Sequence, residues 1–211
     1  MATKTEILTS TRELIGDQES LRFTDATLSR LMDGAIKRLS TIRRNYEKTV
    51  TQAVSLVGAT ALPVDFISMS RLEIASTGLP VWQIQPSQIS HLKEPPVGDN
   101  PTYYYIGGTG INFWPAPLTA YNVKIRYFAV APLLVNPTDI PDPSLGTEAD
   151  EYIRFYITRE VMLSDQDYEG YQQYQILVAQ LETTAISTAG NPESYTYGEV
   201  REEVMQPLWR D

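Results

Sequence analysis

The sequence has no cysteine and a single histidine, His91, in 211 residues. The first absence removes disulfides and thiolate metal sites, as suits a protein made and kept in a reducing cytoplasm. Together they remove nucleophile and histidine-base catalysis, and no serine-elbow motif replaces it. His91 sits in a polar, proline-rich stretch and reads as a surface or loop residue. Long apolar runs are missing too. The longest, Tyr127 to Val135, is broken by Pro132, and charge runs through Met1 to Asp17, so neither a membrane span nor a secretion signal is expected. Positive charge is scarce: 17 Lys and Arg against 26 Asp and Glu leave a net charge of -9. That argues against a general nucleic-acid binder, because phosphate neutralisation needs clustered cations.

What is present suffices for a core: 42% of residues are apolar, in a length that holds one large domain or two small ones. Charge is unevenly spread. Residues 1 to 48 hold nine basic and seven acidic side chains, 49 to 146 four and six, and 147 to 211 four and thirteen. The two chain ends are therefore electrically complementary.

The N-terminal segment reads as helix. Thr24 can cap free amides, Asp25 suits the positive helix end, and Phe23 is placed to staple onto Leu28. Leu28, Leu31, Met32, Ala35, Ile36, Leu39, Ile42 and Tyr46 then keep helical spacing. An earlier helix, Thr5 to Ile15, is closed by Gly16. From Val50 to Gly146 twelve of the fourteen prolines appear and charge thins. Strands are expected at 50–57, 66–75, 80–85, 102–106, 111–114 and 122–130, the last alternating as Val123, Ile125, Tyr127, Ala129. Helix returns at Thr147-Glu148-Ala149-Asp150, which resembles a capping box. Residues 148–164 and 166–188 give two helices or one bent one.

The fold class expected is α+β. A helical bundle made from both chain ends (1–48 and 147–189) carries an inserted antiparallel β-sandwich or barrel module (49–146), and an extended C-terminal tail (190–211) follows. The tail carries Tyr195, Tyr197, Val204, Met205, Leu208 and Trp209 after a clear helix stop. Such a segment commonly orders by docking on a partner, and folding back over its own domain is the other possibility.

Gly107-Gly108-Thr109-Gly110 invites comparison with a phosphate loop. Such a loop needs a helix N-terminus after it, and Ile111-Asn112-Phe113-Trp114-Pro115 cannot open one, so the glycines read as a hairpin. Paired carboxylates, Asp165 with Asp167 and Glu202 with Glu203, have the makings of acid-base or metal chemistry but read as solvated charge. Trp82 and Trp114 read first as core, with a sugar-stacking platform as the alternative. Arg30, Lys37 and Arg44 lie seven apart on the face of the second helix away from its apolar stripe. Two readings stay open: a solvated face paired internally with the acidic helix 148–160, or a basic inter-subunit face that attracts the next copy's acidic face and favours head-to-tail rings. No cofactor, no metal and no catalytic set is indicated.

Several stretches together resemble the head-to-tail adaptor, or connector, proteins of short-tailed bacteriophages, of the tubular-protein-A type. They are Phe23-Thr24-Asp25 with Leu28 and Ala35, and Leu62-Pro63-Val64-Asp65-Phe66 leading into Arg71-Leu72-Glu73. Tyr105-Ile106-Gly107 with Ile111, Phe113 and Pro115 follows the same plan. So do Ile125-Arg126-Tyr127-Phe128 with Pro132, Tyr152-Ile153, and the series Tyr168, Tyr171, Tyr174. The similarity runs in order from about residue 20 to 185, each piece a degenerate pattern of apolar and turn residues. It implies a non-catalytic structural protein of the virion head-tail junction, synthesised in the host cytoplasm. The implied assembly is a ring of about twelve copies joining the portal protein to the tail nozzle protein, with DNA only as a passing strand and no membrane. It also implies that the C-terminal segment docks on the portal. The alternative from another class is a β-module binding protein that recognises carbohydrate through Trp82 or Trp114.

Overall fold

The computed structural model describes residues 1–20, 22–55, 59–89, 101–108 and 110–189. In chain order the elements are α1 (Lys4–Ile15), α2 (Asp25–Arg43), β1 (Glu47–Ala53), β2 (Thr60–Ala61), β3 (Phe66–Ile74), β4 (Trp82–Gln83) and the single turn α3 (Pro86–Ile89). β5 (Tyr103–Gly107), β6 (Gly110–Trp114), β7 (Asn122–Ala129), a 3-10 turn (Pro143–Leu145), α4 (Ala149–Ser164) and α5 (Tyr168–Thr188) follow. The chain is mixed α and β, as its patterning predicts. It divides into two compact units, one made of residues 1–47 with 128–189, the other of 48–127.

In the helical unit α4 packs against α1, α2 and α5. Its Tyr152, Ile153, Ile157 and Val161 are buried among Leu28, Met32, Ala35, Ile36 and Leu39 of α2, Ile7 of α1 and Val178 and Ala185 of α5. Local chemistry sets the helix ends. Thr3 and Glu6 form a reciprocal capping box at α1, the Glu6 carboxylate accepting the Thr3 N–H at 2.7 Å. Thr24 caps α2 by accepting the Thr27 N–H, and Phe23 packs on the core cluster that contains Leu28.

Two expectations fail here. The apolar pattern reaches Tyr46, but α2 stops at Arg43: Arg44 turns left-handed (φ 50), and the carbonyl of Tyr46 accepts the Ala129 N–H beside β1 and β7. The residues Thr147 to Asp150 form no capping box. Glu148 occupies the N-cap without a side-chain cap, because its carboxylate takes Arg43 at 2.8 Å while that of Asp150 accepts the Ala2 N–H at 2.6 Å. Tertiary partners outbid the local motif.

The β unit contains a three-stranded sheet in the order β1-β7-β3 and a four-stranded sheet in the order β2-β6-β5-β4. In β7 the alternation is realised in full, with Val123, Ile125, Tyr127 and Ala129 buried. The module is not wholly antiparallel, as expected of it: β4 pairs with β5 in parallel, Trp82 opposite Tyr103. The connection from Ile84 to Thr102 makes that possible, since parallel neighbours need a crossover of a dozen or more residues.

The 3-10 turn ends in Gly146, whose φ of +89 and close approach to the Arg43 guanidinium leave no room for a Cβ. Arg43 cannot retreat, because its side chain is buried and tied to Glu148. Gly146→Ala is therefore expected to destabilise the protein by about 2–4 kcal/mol, read as a lower urea midpoint at unchanged slope.

Candidate functional site

A spacing of seven residues is close to two helical turns, so Arg30 and Lys37 fall on one line of α2, opposite Leu28, Met32, Ala35, Ile36 and Leu39. Both are exposed. Arg44 is exposed as well but lies one residue past the helix, in the left-handed closing position, where its N–H donates to the Ser40 carbonyl. None of the three meets a carboxylate among the described residues.

Other cations of the same segment make the contacts that join the chain ends. Arg22 pairs with Asp165, Arg38 with Glu182 at 3.0 Å, and Arg43 with Glu148 at 2.8 Å. The Arg38 hydrogen bond, against the opposing effect of burial and helped by the Tyr152 hydroxyl, holds the Glu182 carboxyl below the usual range. Of these three pairs one, Arg43 with Glu148, reaches the acidic stretch 148–160 considered as the stripe's internal partner. A further ion pair is invisible to sequence reading. Buried Arg12 donates to Asp17 at 3.0 Å, to Asp25 at 2.6 Å and to the Phe23 carbonyl at 2.9 Å, organising the α1–α2 loop.

In the β unit, Gly107 and Gly110 face each other in the antiparallel β5–β6 pair, which confirms the hairpin. Gly108 supplies the positive φ, +61, while a Cβ on Gly110 would sit 2.5 Å from that of Ala59, so the close pass of β2 requires glycine there. Asp65, of the Leu62 to Phe66 stretch, accepts from Lys48 at 2.6 Å and from the Tyr127 hydroxyl at 2.9 Å. Burial pushes this carboxyl up, but the two donors outweigh it and hold it below the usual range.

The tryptophans do not behave alike. Trp82, expected in the core, is 56% exposed, because β4 is a two-residue edge strand with little packed on it. Trp114 is half-buried, its ring 6.0 Å from that of Tyr103. Trp82 registers with Tyr103 and Tyr103 with Trp114, so the three side chains share one sheet face. Tyr103 is the member that sequence reading does not single out. Its only signal is alternation within Tyr103-Tyr104-Tyr105, where Tyr104 takes the buried side.

Asp165 holds Arg22, and Asp167 caps α5 by accepting the Gly170 N–H at 3.0 Å, so this carboxylate pair is structural. Glu202, Glu203, His91 and the tail residues Tyr195, Tyr197, Val204, Met205, Leu208 and Trp209 lie outside the described residues. Among those described, no cluster of three or more His, Asp or Glu is placed to hold a metal ion. No helix among them is long and apolar enough to cross a membrane.

A protein-family model described as SU10 adaptor protein matches residues 2–201. No curated protein matches the chain.

Asp65 and Glu182 both bind protons less readily folded than unfolded. The stability they contribute is present above their unfolded pKa values, near 4, and is lost as pH falls through the lower folded ones. In Asp65→Asn the fall in unfolding free energy between about pH 5 and pH 2.5 should be shallower than in the parent, as read by urea titration at each pH.

Proposed function

The chain belongs to the SU10 adaptor protein family, a family of phage structural proteins, and from that membership we propose that it forms the ring joining portal to tail nozzle. It contacts other components of the virion and is located there. The ring proposed has about twelve copies and continues the DNA channel, with no catalytic step and no cofactor. The observation that carries this reading is the span of the family match, residues 2–201.

Two physical features support it. A net charge of -9 suits a passage that DNA must traverse without being held. Arg30, Lys37 and Arg44, exposed and without a carboxylate among the described residues, offer an inter-subunit basic face. We assign Tyr195, Tyr197, Val204, Met205, Leu208 and Trp209 to docking on the portal, as a segment dense in large side chains orders by burying them.

A second reading is favoured by the row Trp82–Tyr103–Trp114 on one sheet face, a stacking surface for carbohydrate. It predicts saturable glycan binding that disappears in Trp82→Ala while the thermal midpoint stays put. A glycan array with no hit for the parent removes it.

The adaptor reading is tested by the mass of the complex formed with portal rings from the same phage. Saturation at one copy per portal subunit is expected, and a folded monomer that ignores intact portal would overturn it. A chain ending at Gly190 should keep its thermal midpoint but lose at least about tenfold in portal affinity. Undiminished attachment would remove the tail assignment.

A further inference from the structure

The basic stripe on α2 has a counterpart on α1. Glu6 and Glu13 are exposed, seven residues apart, on the side of α1 opposite Ile7, Thr11 and Ile15, and neither meets a cation side chain among the described residues. At 1.5 Å per residue, seven residues advance about 10.5 Å, the same interval that separates Arg30 from Lys37. Two stripes of opposite sign and equal period thus lie on two different helices of one packed unit.

Beside Glu13 opens a cleft of about 690 Å³ whose lining includes Lys4, Thr9, Arg12, Glu13, Asp25 and Ser29. Of its charged groups, Arg12 and Asp25 pair with each other and the Lys4 ammonium donates to the Val135 carbonyl, which leaves Glu13 as the charge without an opposite partner among the described residues. Among the described residues no ion pair joins the two stripes within one copy. They can pair head to tail, the α2 stripe of one copy lying on the α1 stripe of the next, which is the heterologous contact that closes rings.

We propose that the occupant of the Arg30–Lys37 stripe, with Arg44 just past its end, is the Glu6–Glu13 face of a second copy of this chain. This rests on the ring reading above and names the two surfaces that meet. Interfacial charges of this kind fix register and exclude wrong pairings more than they add affinity. The matched seven-residue periods supply such a register.

The test is reciprocal charge reversal in the full chain, with assembly followed by sedimentation velocity and by copies loaded on portal rings. Lys37→Glu and Glu13→Lys are each expected to raise the half-assembly concentration at least about tenfold, and the double variant to return within about threefold of the parent. Glu13 is chosen over Glu6 because it takes no part in the Thr3 capping box. Equal thermal midpoints for all four proteins keep misfolding out of the comparison. A parent that assembles while neither reversal matters, or a double variant no better than the worse single, overturns the pairing and leaves the ring reading intact. A parent that neither self-associates nor loads on portal overturns both.

Discussion

The helical unit depends on burying α4. Tyr152, Ile153 and Ile157 are at most 1% exposed, and the helix is covered by α1 and α2 from one end of the chain and α5 from the other. No local segment can supply that cover, so α4 reaches its environment only when both chain ends have met. The polar groups carried inward have to be satisfied at the same time. The Tyr152 hydroxyl donates to Glu182 at 3.0 Å, and Glu182 also takes Arg38, so one carboxylate links α2, α4 and α5. Burial first, with the Glu182 charge beside it, pushes the Tyr152 phenol far above its ordinary pKa, so it remains a proton donor.

Three of the ion pairs between chain ends fit the same logic. Arg22 meets Asp165 and Arg38 meets Glu182, so the chain through α2 and the chain through α5 advance in the same direction, while Arg43 turns to Glu148 at the start of α4. Exposed pairs of this kind contribute little each, about 0–1 kcal/mol. The apolar cluster around α4 supplies the stability, and the charges select one alignment of the helices over its slipped alternatives. Arg43 is the exception, since it is buried and its Nε has no partner among the described residues, which makes the neighbouring Gly146 a fixed boundary.

Periodic elements are legible in the sequence, and short ones are not. α1, α2 and β7 repeat their apolar positions often enough for the period to declare itself, and the hairpin at Gly107–Gly110 follows from what cannot come after it. β2 and β4 have two residues each, too few for any period, so the parallel β4–β5 pair leaves no signal. The capping box expected at Thr147 fails because two carboxylates find distant partners, and Arg12 escapes notice because an arginine is presumed exposed until its partners are seen. Of the candidate site, the stripe on α2 is legible from spacing alone. That it is left without internal partners is not, since sequence cannot say which of nine cations in the first segment will be taken.

That division of cations bears on assembly. A chain of net charge -9, gathered into a ring, faces like-charge repulsion that grows with every copy added, and such repulsion opposes compact association unless opposite charges meet at the contacts. Of the cations engaged inside the unit, Arg12 and Arg43 cannot serve there, because removing them from their carboxylates would strand charges in the interior. Of the cations in and beside α2, Arg30, Lys37 and Arg44 are exposed without a carboxylate among the described residues and remain for a neighbour. In the ring proposed, the overall acidity and the few outward cations are complementary requirements: the first disfavours adhesion of DNA, and the second permits attraction between copies.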